Sequence, residues 1–319
     1  MSSIFTDHGA GSTPCPEESA AKRRIMVAVR SIASPVGNPA AENEDNYLLI
    51  DGDGRVESLR NQKRHRGRLA DWPKNHRRLA VLDGVGGHGR GRLLTERVVE
   101  ELIALLAFNS QEALNQALDR LHLQIRAEFA PPAGGRQPGA TLLLIEIPPS
   151  GPAFLYHVGD SRLFALRPEG VELLTVDHSP PTVSALQGLL DEEEWRRQVL
   201  GECRSAISQA FGMGSRLAST ETMSADLVEL GAEQLPGFLS HLPDRRSLPL
   251  APGSLFLLAT DGLWSYRQPL RFLTALSAML DGDQRDLAAL ADRMLDGHCL
   301  ASRDERRHDN TSFILFRVG

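Results

Sequence analysis

A chain of 319 residues and 34.9 kDa fits one large domain or two small ones, since cores usually stop growing at about 250–300 residues. With 41% hydrophobic and 24% charged residues it is neither disordered throughout nor collagen-like, and its longest apolar run, around 255–259, is far short of a membrane span. The net charge of −6 argues against a nucleic-acid binder; the charge is segregated, however, with nine Lys/Arg against Glu57 and Asp71 between residues 55 and 78.

In chain order, residues 1–24 read as a disordered N-terminal tail with no apolar signal segment. Residues 25–319 read as a single domain. Short strands are predicted at 25–30 and 47–50, then the basic insert 55–78, a solvated loop or a docking surface for an anionic partner. A strand at 79–82 runs into Asp83 and a glycine-rich turn. Amphipathic helices follow at 93–108 and 112–129, with apolar residues recurring every three to four positions. Strands are predicted at 140–147, 153–158 and 162–166, the last pairing with 171–174 as a hairpin. Residues 179–213 read as helical, 255–259 as a buried strand, 270–280 and 284–295 as helices, and 312–318 as a final strand. Paired helices alternating with groups of strands indicate an α+β layered fold.

Four acidic positions share one context: Glu44 with Asp45 before a strand, Asp83 and Asp261 at strand ends, and Asp309 before the last strand. A strand end can hold a side chain in a cleft while the backbone stays in a rigid sheet. A single Asp-Gly is usually a turn, but four such sites suggest a shared cleft. Carboxylates without a Cys or His cluster favour hard cations, Mg²⁺ or Mn²⁺. Two such ions would offset the mutual repulsion and clamp phosphoryl oxygens. Three cysteines, Cys15, Cys203 and Cys299, with no CxxC pair argue against a disulfide framework and for a reducing, cytoplasmic setting.

The ordered motifs Asn43-Glu44-Asp45, Asp83-Gly84-Val85-Gly86-Gly87-His88, Gly139-Ala140-Thr141, Gly159-Asp160-Ser161-Arg162, Asp177-His178-Ser179, Thr260-Asp261-Gly262 and Asp309-Asn310-Thr311 resemble the metal-dependent protein phosphatases, the type 2C Ser/Thr family, in its bacterial form. The resemblance implies a central β-sandwich of two antiparallel sheets flanked by pairs of antiparallel helices, in four layers, and a centre of two Mn²⁺ or Mg²⁺ ions. It implies that Asp83 bridges both ions, Gly84 offers its carbonyl, Glu44 holds one ion, Asp261 and Asp309 hold the other, and Asp45 lies in or just behind the ligand set. Residues from 180 to about 214 would form a flap over the substrate. Asp160 is either a further ligand or the anchor of its turn.

The sequence departs from this family at Ala40, where an Arg that grips the substrate phosphate is expected, and at Ser265, where a ligand of the optional third ion is expected. A third ion is therefore not expected, and Arg90 and Arg92 become the candidates for the phosphate grip. His88 suits either proton donation to the leaving alkoxide or a turn hydrogen bond, whereas His178 suits a structural tie at the base of the flap. The resemblance implies hydrolysis of phosphoserine and phosphothreonine by metal-activated hydroxide. Its partners would be phosphorylated proteins, a Ser/Thr kinase or its targets, with no nucleic acid or membrane. The alternative is a degenerate phosphatase that binds phosphoproteins or a kinase with little catalysis.

Overall fold

In the computed structural model, the described residues are 23–34, 42–85, 90–167, 169–202, 206–218, 222–264, 270–280, 286–302 and 309–319. Residues 1–22 of the predicted tail lie outside them, as do Ala40, His88 and Ser265. In chain order the strands are β1 (Ile25–Ile32), β2 (Asn46–Ile50), β3 (Arg55–Arg60), β4 (Lys63–Arg68), β5 (Arg77–Leu82) and the short β6 (Gly84–Val85). Helices α1 (Arg90–Ala104) and α2 (Gln111–Glu128) precede β7 (Gly139–Ala140), β8 (Leu142–Ile147), β9 (Ala153–Val158), β10 (Arg162–Arg167) and β11 (Gly170–Leu173). Then come α3 (Pro180–Leu186), α4 (Glu192–Arg196), a π-helical turn (Arg197–Glu202), β12 (Gln209–Ala210), β13 (Gly214–Ser215), β14 (Arg245–Leu248) and β15 (Leu255–Ala259). Helices α5 (Leu270–Leu280) and α6 (Leu287–Ala301) lead into β16 (Thr311–Val318).

Two antiparallel sheets form the centre, one ordered β1-β16-β15-β10-β11 and the other β14-β9-β8-β5-β2-β3-β4. Their alternating side chains explain three apolar layers. Tyr47, Leu79, Val81, Leu143 and Leu155 of the larger sheet meet Val29, Leu163, Leu258, Ile314 and Phe316 of the smaller one. The other face of the larger sheet packs against Leu94, Val98, Leu114 and Leu118 of α1 and α2. The smaller sheet packs against Leu276, Leu287, Leu290 and Met294 of α5 and α6. The expected four-layer architecture is thus present, and no described helix is long and apolar enough to cross a membrane.

Two expectations need correction. The basic insert is not a loop: β3 and β4 form a hairpin across Asn61 and Gln62 (φ 48° and 62°), and Arg78 belongs to β5 with no solvent exposure. The guanidinium of Arg78 is matched by Glu146, donating Nε to Oε2 (2.7 Å) and Nη2 to Oε1 (3.0 Å), while it also donates to the carbonyls of Leu102, Leu105 and Leu106 at the end of α1. The span 179–213 is not one helical region either. Gly188, at φ +71°, follows α3, and Asp191 starts α4 with a reciprocal capping box to Glu194. These pieces cover an apolar cluster of Val176, Val183, Trp195, Leu217 and Leu239.

Candidate active site

The acidic residues gather where β2 begins and β5, β9 and β15 end. Hydrogen bonds bolt the two sheets together there. Thr260 Oγ1, past the end of β15, accepts the Ser312 N–H (2.9 Å) and donates to Asp45 Oδ2 (2.8 Å). Asn310 Oδ1, ahead of β16, accepts the N–H of Glu44 (2.9 Å). Asp83 is tied in from the other side: its N–H donates to Thr141 Oγ1 (2.9 Å), its carbonyl accepts the Thr141 N–H (2.9 Å), and Thr141 Oγ1 shares a hydrogen bond with Ser161 Oγ (2.7 Å). The sequence patterns contain Thr141, Thr260 and Asn310 but do not disclose this bracing role.

Glycine is required at Gly84 because three chain segments cross. A Cβ there would lie 2.7 Å from the backbone of Gly91 in α1 and 2.8 Å from the Glu44 carbonyl. The Glu44 carboxylate in turn sits against Gly91, whose N–H at the start of α1 donates to it. Burial, with repulsion from Glu42 and Asp309, nevertheless raises the Glu44 carboxyl above its usual range against the pull of Gly91 and Arg92.

The remaining carboxylates repel one another. Asp83 is pushed well above the carboxylate range, first by burial and then by Asp261, Asp45, Asp309 and Asp160. Burial likewise raises Asp45, helped by Asp309 and Asp261 and opposed by hydrogen bonds from Thr260 and Ser312. Glu44, Asp45, Asp83, Asp160, Asp261 and Asp309 therefore share one electrostatic neighbourhood. Among the described residues no three Asp, Glu, His or Cys side chains already close on a single point; the groups stand around the cleft without forming a finished cage. Their chemistry still fits a hard divalent cation: the donors are all oxygens, and the buried Asp45 Oδ1 accepts no hydrogen bond among the described residues.

Both basic candidates are engaged, and of the two Arg92 acts on Glu44. Arg92 pairs with Glu42 and, at 2.9 Å, with Glu96, and the Arg90 guanidinium lies over the Phe129 ring at 5.6 Å. His88 lies outside the described residues. His178 braces the turn that carries Asp160: its Nδ1 accepts the Gly159 N–H (3.2 Å) and the Gln209 side-chain amide (3.0 Å). That leaves Nε2 as the protonated nitrogen, 3.3 Å from Asp244 Oδ2. Arg162 grips Asp177 through Nε (3.0 Å) and Nη2 (2.8 Å) and donates to the Val199 carbonyl (2.7 Å), joining the same turn to the α4 region. Sequence reasoning missed Gln209 and Asp244, which lie in no recognisable motif.

The pattern that defines the protein phosphatase 2C family matches residues 46–294. No curated protein sequence matches the chain. Among solved structures it is similar to the S. agalactiae serine/threonine phosphatase (18% identity, TM-score 0.63, covering 93% of this chain and 100% of the other). It is also similar to a serine/threonine phosphatase from Staphylococcus aureus (17% identity, TM-score 0.64, 93% and 96%). A third similar structure is PppA, described as a key regulatory component of T6SS in Pseudomonas aeruginosa (21% identity, TM-score 0.57, 93% and 99%).

Proposed function

Because the chain belongs to the protein phosphatase 2C family, we propose that it hydrolyses phosphoserine and phosphothreonine in proteins with the help of Mn²⁺ or Mg²⁺, residues 25–319 acting as one catalytic unit. One observation carries this reading: Glu44, Asp45, Asp83, Asp160, Asp261 and Asp309, distant in sequence, meet at one end of the sandwich, where burial and the neighbouring carboxylates raise the proton affinity of Glu44, Asp45 and Asp83.

Asp83, Asp261, Asp309 and Glu44 would hold two cations, with the Gly84 carbonyl as a neutral donor and Asp45 and Asp160 at the rim of the set. When bound, such ions supply Lewis acidity that makes water a stronger acid and offsets phosphoryl charge. The chain's own part is positional. Thr141 holds both backbone groups of Asp83, Thr260 orients Asp45, and Asn310 fixes the backbone at Glu44. Donors held on strand ends need little reorganisation when charge develops. His88, which follows Gly86 and Gly87 in sequence, is assigned the leaving-group proton. Arg92 is kept beside Glu44 by Glu42 and Glu96, so a phosphate would have to draw it from that pairing. A Ser/Thr kinase or its targets are the proposed physiological partners.

The binding-only alternative has Ala40 and Ser265 in its favour, both outside the described residues, and is not preferred. An aryl-phosphate assay separates the two. Turnover should appear with Mn²⁺ and vanish on chelation, and no turnover at any Mn²⁺ or Mg²⁺ concentration would defeat the enzyme assignment.

A further inference from the structure

We propose that the outer edge of β4 docks an extended, acidic polypeptide segment, which adds to the seven-stranded sheet as an antiparallel eighth strand with acidic side chains at alternate positions. Its purpose, bringing a substrate protein to the acidic cleft, rests on the phosphatase reading; the binding itself does not.

The hairpin formed by β3 and β4 carries Arg55, Arg60, Lys63, Arg64, Arg66 and Arg68 against Glu57 alone, and every residue of β4 is exposed. Pairing alternation fixes where its backbone points. In a two-residue hairpin the residues flanking the turn, here Arg60 and Lys63, exchange hydrogen bonds, and every second pair after them does the same. Ser58 with His65 and Val56 with Gly67 continue this series, and the Leu69 N–H bond to the Gly54 carbonyl (2.8 Å) falls in the same phase. Arg64, Arg66 and Arg68 therefore occupy the non-bonded pairs, opposite Leu59, Glu57 and Arg55. Their N–H and C=O groups face outward, along an edge that has no neighbouring strand among the described residues.

The side chains of the same three arginines share one face. Val56 and Ser58 are buried on the α1 side of the sheet, so Glu57 and its partners lie on the opposite face, where Glu57 accepts the Tyr47 hydroxyl (3.1 Å). Glu57 engages Nε of Arg64 (3.2 Å) and Nε of Arg66 (2.8 Å), which keep side-chain exposures of 49% and 68%. One strand thus offers, at alternate residues, both an open backbone pair and a guanidinium. A strand about 4.8 Å away with Glu or Asp at every second position would meet both.

Only a polypeptide can use the backbone edge. Nucleic acids and lipid headgroups would be drawn by the arginines but cannot pair with the amides, and a second copy of this chain would set one arginine row against another. The location suits delivery. At the tip of the hairpin, Gln62 Oε1 accepts the N–H of Asn43, the neighbour of Glu44 (2.8 Å), so a segment added beyond β4 ends about three strand spacings, roughly 14 Å, from the start of β2.

Fluorescence anisotropy on the full chain tests this with a labelled peptide alternating Glu and Thr. A composition-matched peptide with its glutamates in one block, and two N-methylated versions of the alternating peptide, serve as comparisons. In an antiparallel addition the glutamates opposite the arginines direct their own amides at β4. Methylating the glutamate amides should therefore weaken binding about tenfold or more, while methylating the threonine amides should not. The triple variant Arg64→Gln, Arg66→Gln, Arg68→Gln should lose at least as much, with its aryl-phosphate turnover unchanged. Equal binding of both methylated peptides, of the block peptide, or by the triple variant would overturn the proposal. So would binding of single-stranded DNA or phosphatidylserine vesicles with no peptide binding. Failure of wild-type aryl-phosphate turnover would instead defeat the phosphatase reading and leave the docking result standing.

Discussion

Beyond the effect of burial, Asp83 meets repulsion from four neighbours, Asp261, Asp45, Asp309 and Asp160, all raising its proton affinity. Without a cation that crowding opposes folding, and with one it becomes binding energy. Asp83→Asn should therefore abolish Mn²⁺-dependent aryl-phosphate turnover while raising the melting midpoint of the chelated protein, by roughly 2–4 °C per kcal/mol of repulsion relieved. Differential scanning fluorimetry in chelator, beside the activity assay, reads both; a lower chelated midpoint would show that Asp83 stabilises the fold as a charge. At Gly84 the constraint is steric, since a Cβ would strike backbone on two sides. Gly84→Ala should cost about 1–3 kcal/mol in urea denaturation and weaken Mn²⁺ binding by displacing Glu44.

At the scale of elements, the junction of α1, β5 and β8 depends on charges with no access to water. Burial alone would raise the Glu146 carboxyl, but Arg78, His76 and the Phe108 N–H bring it below its usual range. Arg78 also satisfies carbonyls that α1 leaves open at its end. Removing one partner strands the other: Glu146→Leu should cost about 3–5 kcal/mol, whereas Arg78→Met with Glu146→Leu should cost less than the sum of the two single changes. Urea denaturation of the full cycle measures this. Elements like these mark the boundary of what the sequence discloses. Strands such as β8 and β15 were readable as short apolar runs, and the helices α1 and α2 by their periodicity. By contrast β4, Lys-Arg-His-Arg-Gly-Arg, has no apolar alternation, because an edge strand facing water needs none. Arg78 and Glu146 look like surface residues until their mutual pairing is known. The acidic cluster was legible because each member stands at a strand end beside Gly or Asn, where a rigid sheet can hold a side chain in a cleft; the threonines and asparagine that brace it are locally unremarkable.

For the molecule as a whole, acid sensitivity should come partly from His122, which links α2 to the segments at 212 and 225. Its Nδ1 accepts the Gly212 N–H (2.8 Å) and its Nε2–H donates to the Ala225 carbonyl (2.7 Å). Burial lowers its proton affinity below the ordinary value, about 6.5 when unfolded. Between those two values the unfolded chain binds a proton that the folded chain refuses. The contribution is therefore present above about pH 6.5 and is lost as pH falls toward the folded value. The stability difference between wild type and His122→Asn should be constant above pH 7 and shrink from 6.5 toward 5; a difference independent of pH would show that His122 keeps its proton state on folding.

The pairing of β1 with β16 bears on how the protein is made. Six strands of the larger sheet lie between residues 46 and 158, so most of it can form early in translation, with Asp83 and Glu44 already at the ends of its strands. The smaller sheet cannot close until β16 slides between β1 and β15, and Asp309 and Asn310 arrive with that strand. The chain thus meets the full carboxylate repulsion only when β16, the last of these strands in sequence, docks, with the rest of the scaffold already in place to withstand it.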